Sequence, residues 1–492
     1  MRSTHLLATL IALIACLYSP LSIAQPKLTV VVVVDGMTQD NLNKLRPYWQ
    51  AGGLRTLSEE AFQTTIAFPH HVYGGTETTA TLMTGTTPSH HGIMGDWTFN
   101  RVYRTTHYVL QDDQVAGIGT NLQLSPRAIS TTTITDEWRI QQGIHAKIYA
   151  VGLHPQTTIL MAGHAANACC WLDPNTYKWV TTSFYSEGLP TAADAMNMSD
   201  RIAILSERTW TPRLDISMYT SPTKDEKRRL FNYLPKKHLL QTPAANTLII
   251  EMALGMQQTE HLGEDNTPDL LLLQLTTQSP KAASDMIVSA EQEDMYLGIN
   301  QDLGFLMEQL NHRIGKNNYQ LLVVGRPMKG YSAQTYEMAN IPLQHFNIDR
   351  AAALTSTYLM AIYGHERWVD GGYGPFIYLN RTLIEQKRLS LETIQRQVAN
   401  FIMDFEGVQV AYPIHEAIRS EYSHSVYRKQ AGDVFFQLQD HWVLDTNENT
   451  QYDHVIQSAP TAPLLLWSAT LRTFPEKELD ATDIKSLLIN SK

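Results

Sequence analysis

Asp35 is the residue of this chain best placed to do chemistry. It closes the run Leu28-Thr29-Val30-Val31-Val32-Val33-Val34-Asp35 and is followed by Gly36-Met37. A continuous β-branched run of this kind reads as a strand covered on both faces, as in a parallel sheet. Open α/β sheets build their sites beyond the carboxyl ends of such strands. A carboxylate at that end suits a metal ligand or an acid–base group. Other donor types are the pairs His70-His71 and His90-His91, and His164. Asp112-Asp113 and the group Glu291, Glu293 and Asp294 read as solvated faces or helix caps. Lys224 to Arg229 reads as an exposed helix of mixed charge. Cys169 and Cys170 are adjacent, a spacing that rarely bridges because the geometry is strained. A disulfide framework is thereby excluded, and beside Trp171 the two cysteines read as small apolar side chains. No Ser-His-Asp set stands in a recognisable nucleophile elbow.

The elements that must position Asp35 follow from hydrophobic patterning. Ala146 to Val151, Asp269 to Leu275, Gln320 to Val324 and Pro463 to Trp467 read as strands. Gln39 to Ala51 reads as a helix closed by Gly52-Gly53, and Glu291 to Leu310 carries apolar residues at helical spacing. Strands alternating with helices predict an α/β fold, a central and mostly parallel sheet with helices on both faces. Residues 165–260 are less regular and read as an inserted cap. Residues 330–450 mix short strands and helices and yield no assignment.

Met1 to Ala24 reads as a secretory signal: Arg2 and His5, an apolar core Leu6 to Leu17 too short for a membrane span, and Ser22-Ile23-Ala24 before a cut. Leu13-Ile14-Ala15-Cys16 resembles a lipobox. The residues after Cys16 stay apolar, which favours soluble export over a lipid anchor. The expected location is the periplasm or the outer membrane, with no transmembrane span in the mature chain. A net charge of −10 argues against nucleic acid as a partner, since a phosphate backbone wants a basic face.

Five stretches together resemble the alkaline phosphatase superfamily. They are VVVVDGM around Asp35, MTGTTPSHHGIMGDW from Met83 to Trp97, LMAGHAANACCWLD from Leu160 to Asp173, EDMYLGINQDLGFLMEQL from Glu293 to Leu310, and GKNNYQLLVV from Gly315 to Val324. They are most similar to its type I phosphodiesterase/nucleotide pyrophosphatase-like branch, which includes bacterial periplasmic phosphatases with a threonine nucleophile. The resemblance implies two zinc ions at the carboxyl edge of the sheet, six Asp and His ligands, and a Thr or Ser that attacks phosphorus. Two close cations clamp the attacking and leaving oxygens in such chemistry, and zinc needs its three or four ligands.

Position by position, the resemblance implies Asp35 as a ligand. Counting back from Thr84-Gly85-Thr86-Thr87-Pro88 puts an expected His on Thr79 and the nucleophile on Gly75, with Thr76 one step away. The phosphate-binding Asn falls on Asp96. A phosphoryl-gripping Lys-x-Arg pair falls on His154-Pro155-Gln156, which lacks the arginine fork. One Asp/His ligand pair falls in Thr277 to Ala283, and another on Gly325-Arg326-Pro327-Met328. The last His has no clear match: Tyr452 is nearest by count and His454 lies two residues away. His91 and His164 fall in structural turns of the resembled family.

These positions favour a degenerate, non-catalytic member of the superfamily, a binding or scaffold subunit of the bacterial cell envelope. Asp35, Asp96, His154, Gln156 and Arg326 would line its cleft, an envelope protein would be its partner, and no cofactor is expected. The alternative is a metal-dependent phosphomonoesterase or phosphodiesterase with a shifted site, using Thr76 as nucleophile and Asp35, Asp96 and His454 as zinc ligands. Charge balance adds one expectation. An unpaired buried carboxylate is costly, so Arg326 or His154 should pair with Asp35.

Overall fold

The computed structural model describes residues 25–219, 231, 235–280, 289–327, 341–445, 459–470 and 478–490. The leader expected over residues 1–24 lies outside them, as do Tyr452 and His454. Leu28–Asp35 forms strand β1, and all eight residues are buried. Successive strand side chains point to opposite faces. Val30, Val32 and Val34 therefore enter one apolar core, and Val31 and Val33 enter another. Full burial of each such side chain contributes about 1.5–3 kcal/mol, so β1 is gripped from both sides.

Among the described residues the central sheet has nine strands. They are β1, β2 (Phe62–Ala67), β3 (Gly117–Ile118), β4 (Ile148–Gly152), β5 (Ala168–Leu172), β6 (Trp179–Thr182), β7 (Asp269–Thr276), β8 (Tyr319–Arg326) and β9 (Thr461–Ser468). Their spatial order is β2-β9-β8-β1-β7-β4-β5-β6-β3. The central five, from β8 to β5, run parallel. The flanking strands run antiparallel. Helices α1 (Thr76–Thr84) and α2 (Pro155–Ala162) pack into the core of Val31 and Val33, and α3 (Pro243–Glu260) and α4 (Ala290–Arg313) into that of Val30, Val32 and Val34. The expected α/β architecture is present.

The described part of the expected cap at 165–260 joins the main body. β5 and β6 extend the central sheet, and α3 is buried against it. The irregular appearance of this stretch has a physical cause. Ala245, Leu248, Ile249, Ile250, Met252, Ala253 and Met256 of α3 are all buried, and only a narrow line through Thr247, Glu251 and Gln258 is partly open, so its apolar face is wider than the stripe that marks a surface helix. The added layer lies later in the chain. Strands Val369–Tyr373, Phe376–Leu379, Val434–Leu438 and Val408–Pro413 form an antiparallel sheet in that spatial order. Helices Ile348–Tyr363 and Leu391–Met403 share its core. A hairpin of the main body (Trp97–Asn100 and Thr105–Tyr108) reaches this layer. Its Arg101 lies 2.9 Å from the buried Asp433 carboxylate, which Arg381 also meets at 2.7 Å.

The helix Gly53–Glu60 packs on α4 through a glycine contact. A Cβ at Gly53 would lie 1.9 Å from the carbonyl oxygen of Asn300, and Gly53 has φ +50°. Gly53→Ala is expected to lower stability by at least about 1–3 kcal/mol, the usual cost of overpacking, read as a lower denaturant midpoint. An unchanged midpoint would show that α4 yields at this contact.

A candidate active site at the carboxyl edge of the sheet

The register of the parallel strands sets the site. Asp35, the last residue of β1, pairs across the sheet with Arg326 on β8 and with Thr276 on β7. Both charged side chains are buried. Arg326 Nε donates to Asp35 Oδ1 at 2.6 Å, and its Nη1 donates to the Gly75 carbonyl at 2.7 Å. Gln274 Nε2 donates to the other carboxylate oxygen at 2.7 Å, while its Oε1 accepts from the backbone N–H groups of Leu153 and His154. The charge pairing expected from the sequence is thus present. Burial works against the Arg326 charge, but the Asp35 carboxylate, helped by Asp96 and Glu77, outweighs it and raises the guanidinium pKa. His154 Nε2 stands 3.8 Å from Asp35 Oδ2 with its side chain 41 % exposed. Loss of hydration lowers the imidazole pKa against the pull of Asp35, with Arg326 adding to the fall.

Next to this pair lies the turn Tyr73-Gly74-Gly75 that starts α1. Gly75 has φ +115°, and a Cβ there would meet Arg326 Nη1 at 3.1 Å. Only glycine adopts this conformation readily. The buried Glu77 carboxylate accepts from the backbone N–H groups of Tyr73 (2.5 Å), Gly74 (2.8 Å) and Gly75 (2.8 Å). Burial pushes its carboxyl up to about 7, with Asp96 adding and the backbone N–H groups of Gly74, Gly75 and Glu77 itself opposing. The Thr76 N–H donates to Asp96 Oδ1 at 3.2 Å. Among the described residues the buried Thr76 hydroxyl has no hydrogen-bond partner, and the same holds for Thr79. Gln156 Nε2 donates to the Asp96 carbonyl at 2.9 Å, and its Oε1 accepts from the Leu110 N–H. Gln156 therefore braces the backbone rather than lining the cleft. A narrow cleft of about 40 Å³ lies against Gly74 and Asp96, walled by Tyr73, Trp97, Tyr373 and Phe376.

The other histidine candidates are structural. His70 and His91 both meet the Thr81 hydroxyl, at 2.9 and 3.2 Å. Burial lowers the His70 pKa to about 4 and takes His91 further down. His164 pairs with Asp136 at 2.9 Å, beside the capping box of the helix Ile134–Gln142. Among the described residues no group of three or more His, Cys, Asp or Glu side chains comes together to hold a metal ion. The two Asp35 oxygens already accept from Arg326 and Gln274. The described donors at this edge therefore do not fit a zinc pair.

Two residues at the edge escaped the sequence reading. Gln274 is the lone polar residue in Leu270-Leu271-Leu272-Leu273-Gln274-Leu275. A buried polar side chain needs partners, so it could have been foreseen as a brace for a strand-end group. Glu77 follows Gly74-Gly75-Thr76, which matches no capping-box spacing, so its role was not signalled.

The type I phosphodiesterase / nucleotide pyrophosphatase family model matches residues 29–460. The chain belongs to that family. It is 25% identical over 446 residues to the alkaline phosphatase PafA of Elizabethkingia meningoseptica, covering 84% of this chain and 81% of that protein. It is equally 25% identical, over 442 residues, to a protein of Myroides odoratus named calcium-transporting ATPase. It is 28% identical over 328 residues to the alkaline phosphatase PhoV of Synechococcus elongatus, covering 62% of this chain and 59% of that protein. The crystal structure of wild-type PafA superposes with a TM-score of 0.80 at 22% identity, over 94% of this chain and 95% of that one, which shows the shared fold. These relatives overturn the non-catalytic scaffold reading, because proteins named as phosphatases match along most of the chain. The expectation of no cofactor rested on that reading and falls with it.

Two outcomes follow from this geometry. Arg326→Met strands a buried carboxylate and is expected to cost about 3–5 kcal/mol, with most of the loss recovered in the Arg326→Met/Asp35→Asn double variant. Denaturant unfolding of the three proteins checks this, and a single-variant cost under about 1 kcal/mol would refute it. Glu77 has a folded pKa above its unfolded value. Its stabilising contribution is full below about 4.5 and is lost as pH rises through about 7. The melting temperature of the wild type relative to Glu77→Gln is therefore expected to fall between pH 5 and pH 8.

Proposed function

We propose that this member of the type I phosphodiesterase / nucleotide pyrophosphatase family hydrolyses phosphoric esters at the carboxyl edge of β1, with phosphomonoesters as the first substrate class. The relatives named alkaline phosphatase support the substrate class. The observation that carries the site is the Thr76 hydroxyl. It is buried, without a hydrogen-bond partner among the described residues, at the N-terminus of α1, next to the turn whose carbonyl Arg326 holds. The N–H groups around it are already taken by Glu77 and Asp96, and an unpaired hydroxyl in that place is suited to attack phosphorus. The attack would join the Thr76 oxygen to phosphorus and release the alcohol of the ester, which takes up a proton, and water would then attack the phosphothreonine, releasing inorganic phosphate and restoring the hydroxyl. Arg326 cancels the Asp35 charge, so the incoming phosphate does not face a bare carboxylate. Asp96 fixes the Thr76 backbone, and a narrow aromatic-walled cleft opens beside it. No step is assigned to a metal, since the described donors do not fit one. Export belongs to this proposal, supported by the basic start, short apolar core and small residues of Met1 to Ala24. Among the described residues no helix is long and apolar enough to cross a membrane.

The decisive experiment measures hydrolysis of 4-nitrophenyl phosphate and bis(4-nitrophenyl) phosphate by the purified chain, together with its metal content. Turnover of the monoester that falls about a thousandfold or more in Thr76→Ala is expected, the scale of a lost nucleophile. Turnover unaffected by Thr76→Ala would overturn the assignment of the nucleophile. Absence of turnover on both esters, with and without added divalent metal, would overturn the function.

A further inference from the structure

The turn before Thr76 has almost no side chains to hold it. Gly74 and Gly75 carry none, and neither tolerates one. A Cβ at Gly74 would lie 2.6 Å from the Asp96 backbone nitrogen, and one at Gly75 would lie 3.1 Å from Arg326 Nη1 in a left-handed conformation. Glycines lose the most backbone freedom on folding, so something outside the turn must fix it. The Gly75 carbonyl accepts from Arg326 and from the Thr78 hydroxyl. The Thr76 N–H is held by Asp96. The three N–H groups of Tyr73, Gly74 and Gly75 converge on one carboxylate, that of Glu77.

We propose that Glu77 is a positioning residue for Thr76: its carboxylate fills a nest of backbone N–H groups and locks the glycine turn to the first turn of α1, which fixes the direction of the neighbouring hydroxyl. Successive backbone N–H groups in a turn form an anion-binding concavity, and here the acceptor oxygens are built into the chain. Glu77 sits one residue beyond Thr76 on the same helix, so the lock makes turn and helix a single rigid piece. Arg326 acts from β8 and Asp96 from a loop, and neither ties the turn to α1 in this way. The charged and titratable groups facing Glu77 are Asp96, Arg326 and Tyr73. The proposal rests on Thr76 as nucleophile for its catalytic consequence but not for the lock itself.

The test uses Glu77→Gln and Glu77→Asp in the full chain, each first checked for the wild-type circular-dichroism spectrum. The amide keeps one acceptor oxygen and turns an N–H donor toward the nest, while the shorter acid loses reach. Hydrogen-exchange mass spectrometry of the peptide spanning residues 70–80 is expected to show at least tenfold faster exchange at residues 73–75 in both variants. With 4-nitrophenyl phosphate, kcat is expected to fall at least tenfold while KM stays within about twofold, because a misdirected hydroxyl slows chemistry without changing the groups that line the cleft. Unchanged exchange at residues 73–75 would overturn the lock. Faster exchange with unchanged kcat would overturn the positioning role. If the wild type turns over no phosphoric ester, the proposed function fails, and the exchange measurement still decides for or against the lock. Loss of the folded spectrum in both variants would assign Glu77 to stability instead and overturn the proposal.

Discussion

The buried ion pair of Asp35 and Arg326 is the constraint on which the rest of the edge depends. Taking a carboxylate and a guanidinium out of water costs several kcal/mol per ion, and only close contact with further hydrogen bonds recovers it. The parallel register of β1 and β8 brings the two residues side by side. Gln274 supplies the further hydrogen bond to Asp35, and the Gly75 carbonyl takes the remaining reach of the guanidinium. The pair thus does more than neutralise itself. Through Gln274 it ties β7 to the loop that starts α2, and through Gly75 it ties β8 to the loop that starts α1.

This arrangement changes how the edge is charged. The resemblance implies cations gathered by several Asp and His side chains. In the described part of this edge the positive charge beside Asp35 is a covalently attached guanidinium, held above its ordinary pKa by the carboxylates around it. Asp96 and Glu77, the nearby acids, are turned to backbone N–H groups. The edge is therefore a network of internally satisfied charges, beside which the hydroxyls of Tyr73, Thr76 and Thr79 have no hydrogen-bond partner among the described residues. Along α1, Thr78, Thr81 and Thr84 donate to backbone carbonyls, and of the two threonines that do not, Thr76 is the one at the helix N-terminus beside the glycine turn.

Much of the fold was legible in the chain. β1, β7 and β8 announce themselves as unbroken apolar runs, and α4 as a long periodic stretch, because burial on both faces leaves that pattern. The pairing of Asp35 with Arg326 was legible too, from the cost of an unpaired buried charge. What escaped notice did so for physical reasons. α3 is buried around most of its circumference and so shows only a narrow polar line, and β5 and β6 are short strands joined by a tight connection. Together they made sheet and core look like an insertion. The functional misreading came from elsewhere. Counting ligand types in loops treats absent metal donors as absent activity, whereas the relatives named as phosphatases match along most of the chain.

The alternation of β1 between two cores has a consequence for how this chain can diverge. Its side chains obey a strict two-residue frame, odd positions to one layer and even positions to the other. Inserting or deleting a single residue upstream of Asp35 within the strand would swap the occupants of both layers and swing the terminal acid away from its guanidinium. Substitutions of similar volume can accumulate along Leu28–Val34, but changes of length there cannot, so lineages that keep this fold should vary in the loops on either side and hold the strand at eight residues.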